Sequence, residues 1–202
     1  MTAQAAATEH KDGRIPPRAR ILAAAAELFY RHGVRAVGVE AIADAAGTNK
    51  MTLYRHFASK DELVAEYLRQ SANAADVCWK RFAQAHPGDP LAQLCAWLEE
   101  MARHLAEPKE RGCALANAAI ELPEKDHPAR RVIEEYKRAQ RTRLVRLSEE
   151  AGLTDPEMLA DELHLLLEGA RVTAQSVGTD GLAARLLHMG KAMITAHTPR
   201  RG

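Results

Sequence analysis

Residues 38–60 read GVEAIADAAGTNKMTLYRHFASK, and three signals follow one another in them: a helix, a tight turn and a second helix. Val39, Ile42, Ala43 and Ala46 recur at the i, i+3, i+4, i+7 positions of one helical face. Gly47 comes directly after the last of them, where a residue free to take positive φ ends a helix at little cost. Asn49 is a favoured N-cap for the next helix. In that helix Leu53 and Phe57 stand four apart, so they share a face able to pack back onto Ile42. The remaining side chains, Lys50, Met51, Thr52, Tyr54, Arg55 and His56, point elsewhere. Cationic, hydroxyl and aromatic groups over two turns suit a helix lying in the major groove of DNA. Ser59 with Glu62 is a capping-box pattern, so a further helix is expected to start with Lys60 in its first turn.

Composition agrees with an all-α fold. Of the 202 residues 47% are apolar, enough for a sizeable core, while aromatics stand at 4% and no β-branched alternating run appears. The net charge of +1 hides an uneven distribution. Residues 1–60 hold nine lysines and arginines against five acidic residues, and residues 61–202 hold nineteen against twenty-two. The basic excess therefore sits beside the helix–turn–helix pattern, where a DNA-facing module requires it. Cys78, Cys95 and Cys113 show no CxxC spacing and read as reduced thiols of a cytoplasmic protein. No apolar run approaches the length of a membrane span, and residues 1–13 are expected to be a disordered arm without signal-peptide character.

The pattern in residues 38–60 resembles the helix-turn-helix of the TetR family of bacterial transcription regulators. The carrying residues are Ile42-Ala43, Ala46-Gly47, Leu53 to Phe57 and Lys60 to Leu63; upstream, residues 21–29 (ILAAAAELF) with Gly33 are similar to that family's first helix. Two positions depart from the family pattern. Gly38 stands where Ser or Thr is frequent, which weakens the cap and removes a hydroxyl, and Thr48 stands where a small apolar residue is usual. The resemblance implies a three-helix DNA-binding domain over residues 14–60 and a larger helical domain over 61–202 for effector binding and dimerisation, about nine helices in all. It also implies roles: Thr52, Tyr54, His56 and Lys60 for phosphate positioning, Lys50 and Arg55 for reading base edges, with Asn49 and Met51 adding contacts. One of Arg14, Arg18 and Arg20 is a further candidate for phosphate.

Beyond Asp61 the helical period continues to about Gln84, long enough to connect two domains. His86-Pro87-Gly88-Asp89-Pro90 is a clear break, and Asp155-Pro156 reads as a cap followed by a proline in the first turn. Residues 129–151 carry a strongly basic face (Arg130, Arg131, Lys137, Arg138, Arg141, Arg143, Arg146) that reads as solvated and paired along the helix with Glu134 and Glu135. The two closing helices are rich in leucine on more than one side and are the candidates for a homodimer interface, with residues 197–202 as a frayed basic tail. By resemblance, the expected partners are a double-stranded DNA operator and an unidentified small-molecule effector. Trp79, Phe82, Trp97, Met101, His104, Asn117, Glu121 and Tyr136 form a mainly apolar set with a few polar members suited to a cavity.

Other readings remain open at this level: a metal- or thiol-responsive regulator of the same fold, or a helical adaptor without DNA binding. Glu100/His104 and Asp161/His164 are helical pairs with ligand-like spacing, yet the chain has no Glu-x-x-His, HExxH, GxSxG, P-loop or dinucleotide glycine pattern. No metal, cofactor or enzymatic activity is expected.

Overall fold

The computed structural model describes residues 15–107 and 111–199; the expected arm, Arg14 and residues 200–202 of the expected tail lie outside the described residues. Among the described residues the fold is all-α: α1 (Pro17–His32), α2 (Val39–Ala45), α3 (Lys50–His56), α4 (Lys60–Ala85), α5 (Pro90–Leu105), α6 (Ala114–Glu121), α7 (Pro128–Glu150), α8 (Pro156–Val177) and α9 (Leu182–Ala196). The chain forms two compact units. One takes the residues up to Ala75 together with Cys113–Glu135; the other takes those from Asp76 to Gly112 and from Tyr136 onward. The position between residues 60 and 61 thus falls inside the first unit, which also includes α6 and the start of α7.

In the first unit local chemistry sets the helix ends. Pro17 opens α1, where its missing N–H costs nothing. After α2, Gly47 at φ 60 donates its N–H to Asp44 and Thr48 donates to Ala43, both orphan carbonyls of the last turn. Asn49 caps α3 by accepting the Thr52 N–H at 2.9 Å, and Ser59 Oγ accepts the Glu62 N–H at 3.1 Å ahead of α4. Gly38, the N-cap of α2, makes no side-chain cap bond, as its missing hydroxyl requires. Ile21, Ile42, Leu53, Leu63 and Leu68 are fully buried together with Phe29 and Phe57. Each such aliphatic side chain contributes roughly 1.5–3 kcal/mol by leaving water.

The second unit has its own core, built on Phe82, Leu94, Leu98, Leu144, Leu159, Leu163 and Leu186. Helix α9 packs against α5 and α8. Gly190 permits a close approach there, since a Cβ in its place would lie 2.6 and 2.7 Å from the two methyls of Leu98.

Three expectations change. Asp155 does not cap α8: its backbone is left-handed at φ 48 and its side chain makes no cap bond. The segment before it is held instead by a distant partner, as Thr154 donates both its N–H and its hydroxyl to the carbonyl of His197. For the same reason His197 is not part of a frayed tail; its Nε2 lies 3.2 Å from Glu162 and its side chain is largely buried. The basic face of α7 is also not uniformly solvated. Arg131 pairs with Glu135 along the helix as expected, but Arg143 reaches Asp76 at 2.6 Å and Lys137 reaches Glu168 at 2.8 Å.

Candidate functional site

Leu53 on α3 is buried, which turns the rest of that helix outward; Phe57, expected to share its helical face, is buried too but lies just past the helix as its extended C-cap (φ -135, ψ 122). Met51 is 78% exposed and Tyr54 44%; Asn49, Lys50, Arg55 and His56 are exposed and Thr52 is half-buried. His56 is therefore an outward residue and not a packed core histidine. The face presents one ammonium, one guanidinium, an imidazole, a phenol and a thioether, with no carboxylate of its own.

A carboxylate reaches it from α2. Glu40 Oε1 lies 2.6 Å from Lys50 Nζ. That hydrogen bond holds the Glu40 carboxyl below its ordinary range and raises the Lys50 ammonium above its own. Lys60, at the start of α4, behaves oppositely. It is half-buried, donates to the Arg35 carbonyl at 3.4 Å, and burial lowers its pKa against the opposing pull of Asp61 and Glu121. Arg18 is committed inside the unit, with Nη2 3.1 Å from Glu66 and its guanidinium 5.0 Å over the Phe57 ring. Arg20 is exposed.

The residues expected to line an effector cavity do not all belong to one unit. Trp79, Phe82, Trp97, Met101, His104 and Tyr136 fall in the second unit, whereas Asn117 and Glu121 on α6 fall in the first. In the second unit the indoles of Trp79 and Trp97 stack at 6.1 Å with 10° between planes, and Phe82 meets Trp79 edge-on at 5.7 Å. Trp79 Nε1 donates to Gln140 Oε1 at 2.9 Å. His104 is half-buried with Nε2 3.6 Å from Glu100; burial, seconded by Arg103, lowers its pKa. Glu100 itself is held down to about 2, above all by its bond to Arg103 and also by Arg81, in spite of its burial.

Glu121 has a different environment. Its Oε2 accepts the backbone N–H of Arg35 at 3.0 Å, and its carboxylate occupies the space a Cβ on Gly33 would need. Around it Arg35 bonds Glu124 at 2.5 Å and His127 lies 3.4 Å from Asp61. Glu121 is expected from the sequence to line an effector cavity; in the structure its carboxylate is engaged by the Arg35 backbone. Gln140, Lys137 and Arg171 are not among the candidate site residues, Lys137 being read as part of a solvated basic face, because a buried Gln and an inward-turned cation look identical to surface ones.

The pair Asp161 and His164 also resolves: Asp161 receives a two-pronged contact from Arg141, at 2.6 and 2.9 Å. Burial pushes the thiols of Cys78 and Cys95 up, the reverse of what a reactive thiolate needs. Among the described residues no helix is long and apolar enough to cross a membrane.

Comparison with known proteins places residues 21–67 in a family model described as bacterial regulatory proteins, tetR family. The HTH-type transcriptional repressor KstR2 of Mycobacterium tuberculosis is 50% identical over 52 residues, 26% of either chain, so the match spans about a quarter of that relative's length. A putative TetR transcriptional regulator from Streptomyces avermitilis is 33% identical, with a TM-score of 0.77 over 90% of this chain and 98% of its own. The regulator SCO4454 from Streptomyces coelicolor superimposes with a TM-score of 0.85 at 26% identity, over 91% of this chain and 96% of its own.

Proposed function

The chain belongs to the TetR family of bacterial regulatory proteins, and we propose that it is a sequence-specific, ligand-responsive transcriptional repressor that binds a near-palindromic operator as a homodimer in the cytoplasm. The observation that carries the reading is the division of α3 into a buried side and an acid-free outer side. Arg55 and Lys50 read base edges; Thr52, Tyr54, His56 and Lys60 take phosphates; Asn49, besides capping, and Met51 border the same face. Half-burial of Lys60 and the Arg18–Glu66 pair make these two cations less available than Arg55.

Support for pairing of two chains comes from α8 and α9. Met158, Leu165 and Val172 recur every seven residues and are exposed by 51, 70 and 58%, and Met189 on α9 by 47%. A seam of apolar residues at that period is what a helix presents to a partner helix. Two reading helices so paired would meet half-sites about 34–36 Å apart. Effector binding is assigned to the second unit, around Trp79, Trp97, Phe82, Met101, His104 and Tyr136. Release of the operator by a hundredfold would need coupling of about 2.7 kcal/mol, and α4, one helix with residues in both units, is its proposed carrier.

The test is selection of duplexes from a random pool by the full chain, followed by a salt titration on the winner. The reading expects an inverted-repeat consensus and an affinity that falls steeply with salt. Recovery of no preferred sequence, with or without cell metabolites, would overturn it.

A further inference from the structure

In the second unit one face of α7 carries buried donors without a hydrogen-bond partner among the described residues, the Gln140 amide nitrogen first among them. Gln140 is 7% exposed and its orientation is fixed, because Trp79 Nε1 is purely a donor and must meet the amide oxygen. The amide nitrogen is thereby turned the other way, and it is buried without a hydrogen-bond partner among the described residues. Buried donors in that condition are rare. One turn back on the same face, the Lys137 ammonium lies 2.8 Å from Glu168 Oε2, its side chain 22% exposed. The other oxygen of Glu168 is taken by Arg171 Nη1 at 2.6 Å, so two cations share one carboxylate. Arg171 Nη2 is directed at the thioether of Met101 at 3.7 Å, a weak acceptor. His164, on α8 with Glu168 and Arg171, is pushed towards its neutral form by burial and then by Lys137. Beside these donors lie the stacked indoles of Trp79 and Trp97 and the ring of Phe82.

We propose that this face of α7 receives the head of an apolar carboxylic acid: the carboxylate accepts from Gln140 Nε2 and Lys137, within the field of Arg171, while a hydrocarbon or aromatic body lies against Trp79, Trp97 and Met101. The inference rests on the reading of the chain as ligand-responsive and names the chemical class of its effector. A carboxylate supplies what the site lacks, since it can accept from the buried Gln140 amide nitrogen and carries charge opposite to that of the Lys137 ammonium. A neutral amide accepts through its carbonyl oxygen but carries no charge, and a protonated amine supplies neither.

The chain has two tryptophans and both are at this face, so tryptophan emission reports occupancy without reference to DNA. The experiment titrates the full chain with octanoate and phenylacetate, and with octanamide and phenylacetamide as neutral counterparts, and repeats it on Gln140→Glu and Lys137→Met. Gln140→Glu keeps an acceptor for Trp79 and replaces the unpartnered donor with negative charge; Lys137→Met removes the cation and leaves Glu168 to Arg171. The expected result is a saturable change in emission with at least one acid, binding of its amide at least about tenfold weaker, and at least about tenfold loss of the acid in either variant that melts as the parent does. Response to one acid and not the other decides between an aliphatic and an aromatic body. Silence to both acids at millimolar concentration, equal binding of acid and amide, or parent-like binding by a folded Lys137→Met chain would overturn the proposal. Parallel retention of the selected duplex keeps the two readings apart. Acid binding that leaves DNA retention unchanged sinks ligand-responsive regulation and spares the site. Release of DNA by a non-acidic metabolite alone does the reverse.

Discussion

Glu121→Ala tests whether α6 secures the turn between α1 and α2. The Glu121 carboxylate accepts the Arg35 N–H at 3.0 Å and fills the space beside Gly33, whose φ of 89 a side-chain-bearing residue resists. A hydrogen bond to a charged acceptor contributes about 1.5–3 kcal/mol. Both Arg35 and Glu121 are partly open to solvent, which argues for the lower end. About 1.5 kcal/mol corresponds to roughly tenfold faster exchange of the Arg35 amide proton, measurable by hydrogen exchange on Glu121→Ala against the parent chain. Gly33→Ala should cost at least about 1–2 kcal/mol for the left-handed backbone alone, and more while the carboxylate is present, because a Cβ would sit 2.7 and 2.8 Å from its oxygens. The double variant should therefore be more stable than the two single losses predict, by a coupling of about 0.5–3 kcal/mol in urea unfolding. Unchanged Arg35 exchange, or strict additivity, would refute this account of Glu121. A change confined to effector response would restore it to the ligand-lining role its sequence suggested.

Four further outcomes follow from the same geometry. Arg55→Ala should cost about 1–3 kcal/mol of operator affinity and relax preference at one position per half-site, whereas uniform loss across a panel of duplexes would make Arg55 a phosphate contact. Asn49→Ala removes the 2.9 Å cap on Thr52 N and should lower stability by about 0.5–2 kcal/mol in thermal unfolding. In Gly190→Ala the gain in helix propensity, up to about 1 kcal/mol, competes with overpacking worth about 1–3 kcal/mol. Leu98 is 1% exposed and has nowhere to retreat, so net destabilisation is expected and a raised denaturation midpoint would contradict it. Glu100 has its folded pKa depressed from 4.5 to about 2, so its contribution is fully present above about pH 4.5 and is lost as pH falls towards 2. Urea midpoints of Glu100→Gln should then lie below the parent by on the order of 1–3 kcal/mol at neutral pH and converge with it in acid; a pH-independent gap would show that the loss is packing.

What the sequence disclosed was what short range determines. Gly47, Asn49 and Ser59 act on backbone groups within five residues, so their spacing alone announced the ends of α2, α3 and α4. Leu53, buried on α3, fixed the outward set by helical geometry, although Phe57, read as its partner on that face, is buried from an extended C-cap position. Long-range decisions were not legible. Asp155 has the composition of a cap, yet His197, 42 residues on, holds its neighbour Thr154 in place. Arg143 and Lys137 belong to a run of cations that periodicity cannot sort into wet and dry, and only Asp76 and Glu168 on other helices turn them inward. The apolar run of 112–122 gave no hint that Asn117 and Glu121 would join the first unit.

If Lys50 reads a base as proposed, its ion pair with Glu40 turns that reading into an exchange of partners. An operator that offers an acceptor oxygen or nitrogen has to draw the ammonium away from a carboxylate already in place, so little affinity accrues there even on a correct match. A mismatch is cheap for the opposite reason, since the lysine simply stays where it was. Promoters differing at that base would then be occupied to similar degrees, and the breadth of the regulated gene set would be tuned by a side chain on α2 through its hold on Lys50.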